Sequence, residues 1–300
     1  MFEMLEAFLK AQDTEIEVKR NHLLAKVSPI GIGGCASYVL YPKNEYVLKS
    51  LLSILISEQI QYRVVGRMSN ILPSDDKYTG VIVRTDRLSY VKTDKNILSV
   101  GCGAMLGAAA AIAARAELSG MEELAAIPGS IGGSILGNAG AFGREICDIL
   151  RRIRVYDTDE KREYVFNVSE LEFSYRHTSL DGNRYLILGA DIELSKEKKV
   201  NIINKMLDCK QKRLATQPIG AKTLGSTFKR CNGHSAGELI DACGLKGLSV
   251  FDAQISTKHA GFIINNGRAR AKDVLELMKI SEEAVENQFG VRLEREIIVM

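Results

Sequence analysis

From its amino terminus the chain passes through helical and strand-like patterns of apolar and polar positions. Phe2, Leu5, Phe8 and Leu9 share one stripe and predict an amphipathic first helix. Ser28 to Pro42 (SPIGIGGCASYVLYP) reads as a glycine-rich turn at Gly31, Gly33 and Gly34, then a strand over Ser37 to Tyr41. Asn44 stands where it would cap a helix running to about Ile60, with Val47, Leu51, Leu52, Ile54 and Leu55 on its apolar side. Gln61 to Val65 then reads as a short buried strand, completing a β-α-β unit. Short β-rich pieces between Gly80 and Gly103 (GVIVRT, SYVKT, NILSVGCG) lead to an alanine-rich helix, Leu106 to Leu118. Strands return at Arg152 to Tyr156, Glu163 to Phe166 and Tyr185 to Leu194, which makes the middle of the chain a mixed α+β body. Lys196 to Ala215 predicts a charged helix with Val200, Ile203, Met206 and Leu207 as its apolar positions, and Ala236 to Cys243 a short one. Ala271 to Phe289 predicts the last helix, with Val274, Met278, Val285 and Phe289 as core stripe. Leu293 to Met300 closes as a strand whose alternation puts Glu294 and Glu296 on one face, and an inward carboxylate must be paired, protonated or in use.

One stretch fits none of these periods. Ile127 to Gly143 (IPGSIGGSILGNAGAFG) has glycines at 129, 132, 133, 137, 140 and 143 with mostly small residues between them. Such a backbone turns sharply, approaches a ligand closely and leaves N–H groups free for a pyrophosphate. It lacks the lysine of a nucleoside triphosphate P-loop, and its glycine spacing is not that of the dinucleotide fingerprint. The same composition also suits an ordinary loop of an α/β protein.

Composition narrows the function classes. The 300 residues are 46% hydrophobic and 26% charged, enough for two or three cores, and no apolar run reaches the ~18 residues that would span a bilayer. The start carries acids among its apolar residues, without the basic segment and cleavage site of a signal peptide. Six scattered cysteines form no C-x-x-C and no zinc spacing with histidine, so buried thiols in a reducing cytosol are expected and no metal. A net charge of +3 without basic runs interleaved with aromatics gives no sign of nucleic acid.

Four further segments carry candidate chemistry. Gly66-Arg67-Met68-Ser69-Asn70 follows a strand, where open α/β sheets place ligands, and equally suits a surface turn. Tyr175-Arg176-His177 offers a guanidinium for a carboxylate or phosphate. Gly225-Ser226-Thr227-Phe228-Lys229 is no nucleophile elbow, yet a serine beside cations is a candidate proton donor near an anion. Lys258 and His259 could meet a phosphate, although a turn-capping or core histidine is as common.

With these segments in this order, the sequence resembles the UDP-N-acetylenolpyruvoylglucosamine reductase family from about Ile32 to Ile298, in the shorter form without an inserted tyrosine loop. The resemblance implies an α+β protein: a two-lobed FAD-binding domain of the vanillyl-alcohol-oxidase (PCMH) type over residues 1–85 and 86–196, then a smaller α+β substrate-binding domain over 197–300. It implies FAD and NADPH as cofactors, a UDP-sugar as substrate, a cytoplasmic monomer, and no nucleic acid or membrane partner. The flavin's pyrophosphate would meet backbone around Gly66, Ser69 and Asn70 and around Pro128, Gly129, Ser130, Gly133, Asn138, Gly140 and Ala141. Arg176 matches the group facing the substrate carboxylate, Ser226 the proton donor and Glu296 the carboxyl assisting the same enolate-like species; Tyr175, Lys229, Lys258 and His259 fall to substrate binding. Two other readings are a PCMH-type flavin oxidoreductase acting on a hydroxy acid or alcohol, and a non-catalytic nucleotide-binding relative. The sequence departs from the family at Met68, where Gly-x-Gly-Ser-Asn is usual, at Ile298, where arginine is frequent, and at Pro29-Ile30-Gly31. If position 68 needs a positive φ, glycine there is expected to keep or improve FAD retention.

Overall fold

The computed structural model describes residues 2–231 and 233–300. The backbone packs into two compact units, neither continuous in sequence. The first takes the chain up to Arg20 with Tyr38–Arg67 and Thr79–Gln211, and the second takes Asn21–Ser37, Met68–Tyr78 and Lys212–Met300.

In the first unit α1 (Glu3–Ala11) buries Leu5 and Leu9, one turn apart, with Glu3 and Glu6 in its first turn and Lys10 in its last, as the helix dipole favours. Strands β1 (Ile16–Leu23), β2 (Cys35–Pro42), β3 (Tyr62–Val65) and β4 (Tyr78–Arg84) form a sheet in the order β1-β2-β4-β3. β3 runs parallel to β4 with Tyr62 opposite Val81, so β4 sits between the two strands of the expected β-α-β unit. The helix of that unit, α2 (Glu45–Ser57), starts where Asn44 Oδ1 accepts the Val47 N–H at 2.9 Å. Its fully buried Leu48, Leu51, Leu52 and Leu55 together contribute on the order of 6–12 kcal/mol of hydrophobic burial, an upper bound.

A second sheet is antiparallel throughout, in the order β8-β7-β9-β6-β5, from β5 (Val91–Asp94), β6 (Ile97–Gly101), β7 (Leu150–Asp157), β8 (Arg162–Asn167) and β9 (Tyr185–Glu193). α3 (Leu106–Arg115) buries Ala109, Ala110, Ala113 and Ala114, small enough for close approach, and ends before Leu118, which enters a two-residue strand instead. The glycine-rich stretch is not all loop: its centre is α4 (Ile131–Leu136). One hydrophobic core runs through this unit from Leu5 to Leu194.

α5 (Lys199–Thr216) corrects the predicted stripe: Ile202 and Cys209 are buried, while Val200, Ile203 and Leu207 are exposed. The second unit holds a sheet in the order β10-β13-β12-β11, from β10 (Thr223–Ser226), β11 (Ser249–Val250), β12 (Ala253–Ile255) and β13 (Phe262–Asn265), with α6 (Ala236–Ala242) and α7 (Ala271–Phe289). Asp75 caps α7 by accepting the N–H groups of Ala271 (2.8 Å) and Lys272 (3.1 Å), and Gly290 ends it in the left-handed conformation. Val274, Leu277, Met278 and Val285 are buried in this unit's own core; Phe289 is exposed, against expectation. The predicted closing strand shrinks to Ile298–Val299, parallel to Ile71–Leu72. Among the described residues no helix is long and apolar enough to cross a membrane.

Candidate active site

In the first unit the glycine-rich stretch is fastened to the segment that follows β6. Ile131 N–H donates to Ala104 O (2.8 Å), Gly132 N–H to Cys102 O (2.9 Å), and Leu106 N–H to Gly129 O (3.2 Å). These bonds start α4 despite its two glycines, because tertiary pairing outweighs weak helix propensity. They leave the N–H groups of Gly129, Ser130 and Gly133 without an acceptor among the described residues. Pro128 ahead of them is exposed.

The end of β3 lies against this stretch. A Cβ placed on Gly66 would stand 2.2 Å from Ser130 Oγ, and one on Gly132 would stand 3.1 Å from Cys102 Cβ. Burial pushes the Cys102 thiol up to about 12, so that floor is uncharged and inert. Beside Gly66, Arg67 and Arg84 both reach Asp86, at 3.1 and 2.9 Å. Free N–H groups beside a glycine with no room for a side chain, next to two arginines, fit the pyrophosphate of FAD.

Further along, Gly140 and Ala141 pair antiparallel with Glu145 and Arg144 around Phe142 and Gly143, whose φ values of 53° and 81° make the tight reversal. Asn138, expected to offer its backbone, donates that N–H to Ile135 O at 3.2 Å. It is fully buried, with its amide occupied by Glu145, Ser174 and Cys147, so its side chain is not presented to a cofactor. Arg176 occupies a two-residue turn between Ser174 and His177 at φ 57°, its guanidinium 4.8 Å from the ring centre of the exposed Tyr175.

In the second unit the turn after Gly66 meets the carboxyl end of the chain. Asn70 Nδ2 donates to the Glu296 carbonyl at 2.8 Å, and Ile298 N–H donates to the Asn70 carbonyl at 2.9 Å. Ser69 and Asn70 keep N–H groups with no acceptor among the described residues. Met68 is buried at φ 57°, so the position does need a left-handed backbone.

Ser226 ends β10 opposite Phe262, after Gly225 at φ 85°. On the other side Glu296 N–H donates to Thr227 O (2.9 Å) and Lys229 N–H to Glu294 O (2.8 Å). The main chains of Ser226 and Glu296 are thus locked into neighbouring extended segments. The Ser226 hydroxyl has no partner among the described residues, and the Thr227 hydroxyl is buried with none. Glu294 is exposed and Glu296 half-buried, so the two glutamates do not share one environment.

The expected cations are engaged elsewhere. Lys229 Nζ pairs with the Glu294 carboxylate, and Lys258 Nζ donates to the Leu214 carbonyl. His259 Nδ1 accepts the Gly261 N–H at 3.1 Å, and burial together with Lys246 lowers its pKa, so of its two readings the structure shows the turn-capping imidazole. Residues that sequence reasoning passed over are Glu145 and Asp86. Glu145 carried one signal, a carboxylate two residues beyond a glycine turn; Asp86 carried none.

A model of an FAD binding domain matches residues 36–163, and one of the UDP-N-acetylenolpyruvoylglucosamine reductase C-terminal domain matches residues 217–300. The UDP-N-acetylenolpyruvoylglucosamine reductase of Caldicellulosiruptor saccharolyticus is 38% identical over 284 residues, covering 94% of this chain and 91% of that protein. That of Clostridioides difficile is 35% identical, covering 95% and 93%. The crystal structure of the Thermus caldophilus enzyme superposes with a TM-score of 0.81 at 34% identity over 95% of this chain and 99% of that one. The fold is accordingly the two-domain α+β arrangement with a PCMH-type FAD-binding domain, and the chain belongs to the UDP-N-acetylenolpyruvoylglucosamine reductase family.

Proposed function

We propose that the chain is a cytoplasmic, monomeric, NADPH-consuming flavoenzyme that reduces UDP-N-acetylglucosamine enolpyruvate to UDP-N-acetylmuramate, a peptidoglycan precursor. Residues 1–85 and 86–196 would serve FAD and residues 197–300 the substrate. Bound FAD, reduced by NADPH, supplies hydride to the methylene carbon of the enol ether. Backbone N–H groups of Gly129, Ser130 and Gly133 and of Ser69 and Asn70 would hold its pyrophosphate, and the glycines at 66 and 140 keep side chains out of its way.

Hydride addition builds negative charge on the adjacent carbon and its carboxylate, so a fixed cation lowers the barrier most where that charge develops. Arg176 takes that role, with Tyr175 against its guanidinium. Ser226 delivers the proton to the carbon and Glu296 assists the same charge. The observation that most supports this assignment is the unpartnered Ser226 hydroxyl on a main chain fixed through Thr227 to Glu296. Lys229 and Lys258, each paired within the chain, would serve substrate binding only by exchanging those partners, and His259 would serve it as a neutral donor.

The test is anaerobic. NADPH should bleach one equivalent of bound flavin, and the UDP-enolpyruvyl sugar should then restore its colour. A reduced flavin that ignores the sugar and reoxidises only with oxygen refutes the assignment and favours an oxidase of the same fold.

A further inference from the structure

The glycine-rich stretch and the Arg176 turn are joined by one buried side chain. Asn138 is wholly shielded from solvent, yet it is polar, and every arm of its amide is used. Nδ2 donates to Glu145 Oε2 at 2.7 Å and to the Ser174 carbonyl at 3.0 Å, while Oδ1 accepts the Cys147 N–H at 3.4 Å. Glu145 is itself held, since its N–H donates to Asp148 Oδ2 at 2.9 Å and its carboxylate accepts the Asp148 N–H in return. The clamp is therefore anchored at one end and grips a carbonyl at the other.

That carbonyl opens the turn. Ser174 pairs with His177, leaving only Tyr175 and Arg176 between them, and Arg176 sits at φ 57°. An arginine in the left-handed region persists only where its surroundings over-determine the backbone, and such residues gather at functional sites. The base of this hairpin is held by the buried Thr178, by Phe173 against the core and by hydrogen bonds between Glu172 and Ser179, and the Asn138 bond adds an anchor at the carbonyl from which the turn departs; without such anchors a hairpin is marginal in water. Burying a polar amide costs free energy unless all its bonds are made, so an asparagine at this position implies a use for those bonds.

We infer that Asn138, backed by Glu145, is a positioning residue for Arg176: by holding the Ser174 carbonyl it fixes the strained turn and with it the direction of the guanidinium. The inference rests on Arg176 serving the substrate's carboxylate as proposed above. It makes Asn138 a determinant of the half-reaction with the enolpyruvyl sugar and not of the one with NADPH.

Asn138 sits at φ 38°, and Asn138→Asp keeps an acceptor for the Cys147 N–H and tolerance of that left-handed backbone, but turns the donor edge into oxygen facing two other oxygens. Asn138→Ala removes the clamp without adding charge. Each variant is made in the full chain with Arg176 intact and with Arg176→Ala. In the protein without FAD, amide hydrogen exchange in the peptide spanning Glu172 to Ser179 should quicken about tenfold or more while the rest of the first unit keeps its protection. With FAD bound, reduction by NADPH should stay within about twofold, and reoxidation by the sugar should slow roughly 10- to 100-fold, the scale of an ångström's misplacement. Beside Arg176→Ala, neither Asn138 variant should slow reoxidation further, as expected of residues acting as one unit.

Equal losses in both half-reactions, failure of both variants to fold or hold FAD, or an undiminished Asn138 effect beside Arg176→Ala would each show a general structural role and overturn the inference. If Arg176→Ala by itself leaves reoxidation unchanged, the proposed role of Arg176 fails first and the positioning role with it. An intact Arg176 effect with additive Asn138 effects sinks the positioning role only.

Discussion

Replacing Met68 sets two terms of opposite sign against each other. At φ 57° a side chain sits in the left-handed region, which costs roughly 1–2 kcal/mol that glycine does not incur. The same side chain is only 2% exposed, and truncating a buried methionine costs about 2–5 kcal/mol. Packing outweighs strain, so Met68→Gly should destabilise the folded chain by up to about 4 kcal/mol, and Met68→Ala, which loses packing and keeps the strain, by about 2–5 kcal/mol. The predicted order is wild type, then glycine, then alanine. Urea unfolding followed by circular dichroism, with and without saturating FAD, measures it. FAD affinity in Met68→Gly should stay within about threefold, under 1 kcal/mol, because glycine adopts the same φ and leaves the Ser69 and Asn70 N–H groups in place. The sequence alone suggests a simple gain on restoring glycine; the buried methionine explains why the gain is confined to the turn. Alanine equal to glycine would refute the strain reading, and glycine more stable than wild type would refute the packing reading.

Gly66→Ala puts a methyl 2.2 Å from Ser130 Oγ, an overpacking of about 1–3 kcal/mol that should weaken FAD binding about tenfold or more, with partial rescue by Ser130→Ala; unchanged flavin titrations would show that the site yields freely. Ser226→Ala should leave flavin reduction by NADPH intact and slow reoxidation by the sugar on the order of 10²-fold or more, and equal loss in both stopped-flow phases would remove the proton-donor role. Glu6 is held at about 2, against 4.5, by hydrogen bonds from Arg20 and then Tyr38. Since the folded value is depressed, its stabilisation is present above about pH 4.5 and is lost as pH falls towards 2. The carboxylate is 41% exposed, so the effect is small, and melting curves of wild type and Glu6→Gln should converge over that window. Curves a constant distance apart from neutrality to pH 2.5 would refute it.

Legibility followed the range of the interactions. α2 and α7 appear near their expected bounds because periodicity, the Asn44 cap and the Gly290 stop lie within a few residues of one another. Leu293 to Met300 alternates as a strand should, yet its partner changes along its length: Glu294 and Glu296 bond to Lys229 and Thr227 around a single Phe228–Arg295 bridge, and a regular ladder forms only where Ile298–Val299 meets Ile71–Leu72. The charged helix α5 shows the related failure: apolar spacing defines a stripe, but which apolar residues are covered depends on what lies above them.

At the site, residue chemistry was legible and pairing was not. Taken singly, a run of glycines, a serine beside cations and an arginine in a turn left bland alternatives open; their order along the chain, through its resemblance to a known family, is what pointed to a flavin reductase. That Lys229 is bound to Glu294, that His259 caps its own turn and that Asn138 grips Ser174 were beyond sequence. The amino-acid order by itself determined the family, the kinds of group available and the local helices. Tertiary structure alone decided which of those groups remain unpaired, since a donor or a charge is spent or spared by neighbours that only folding brings within hydrogen-bond reach.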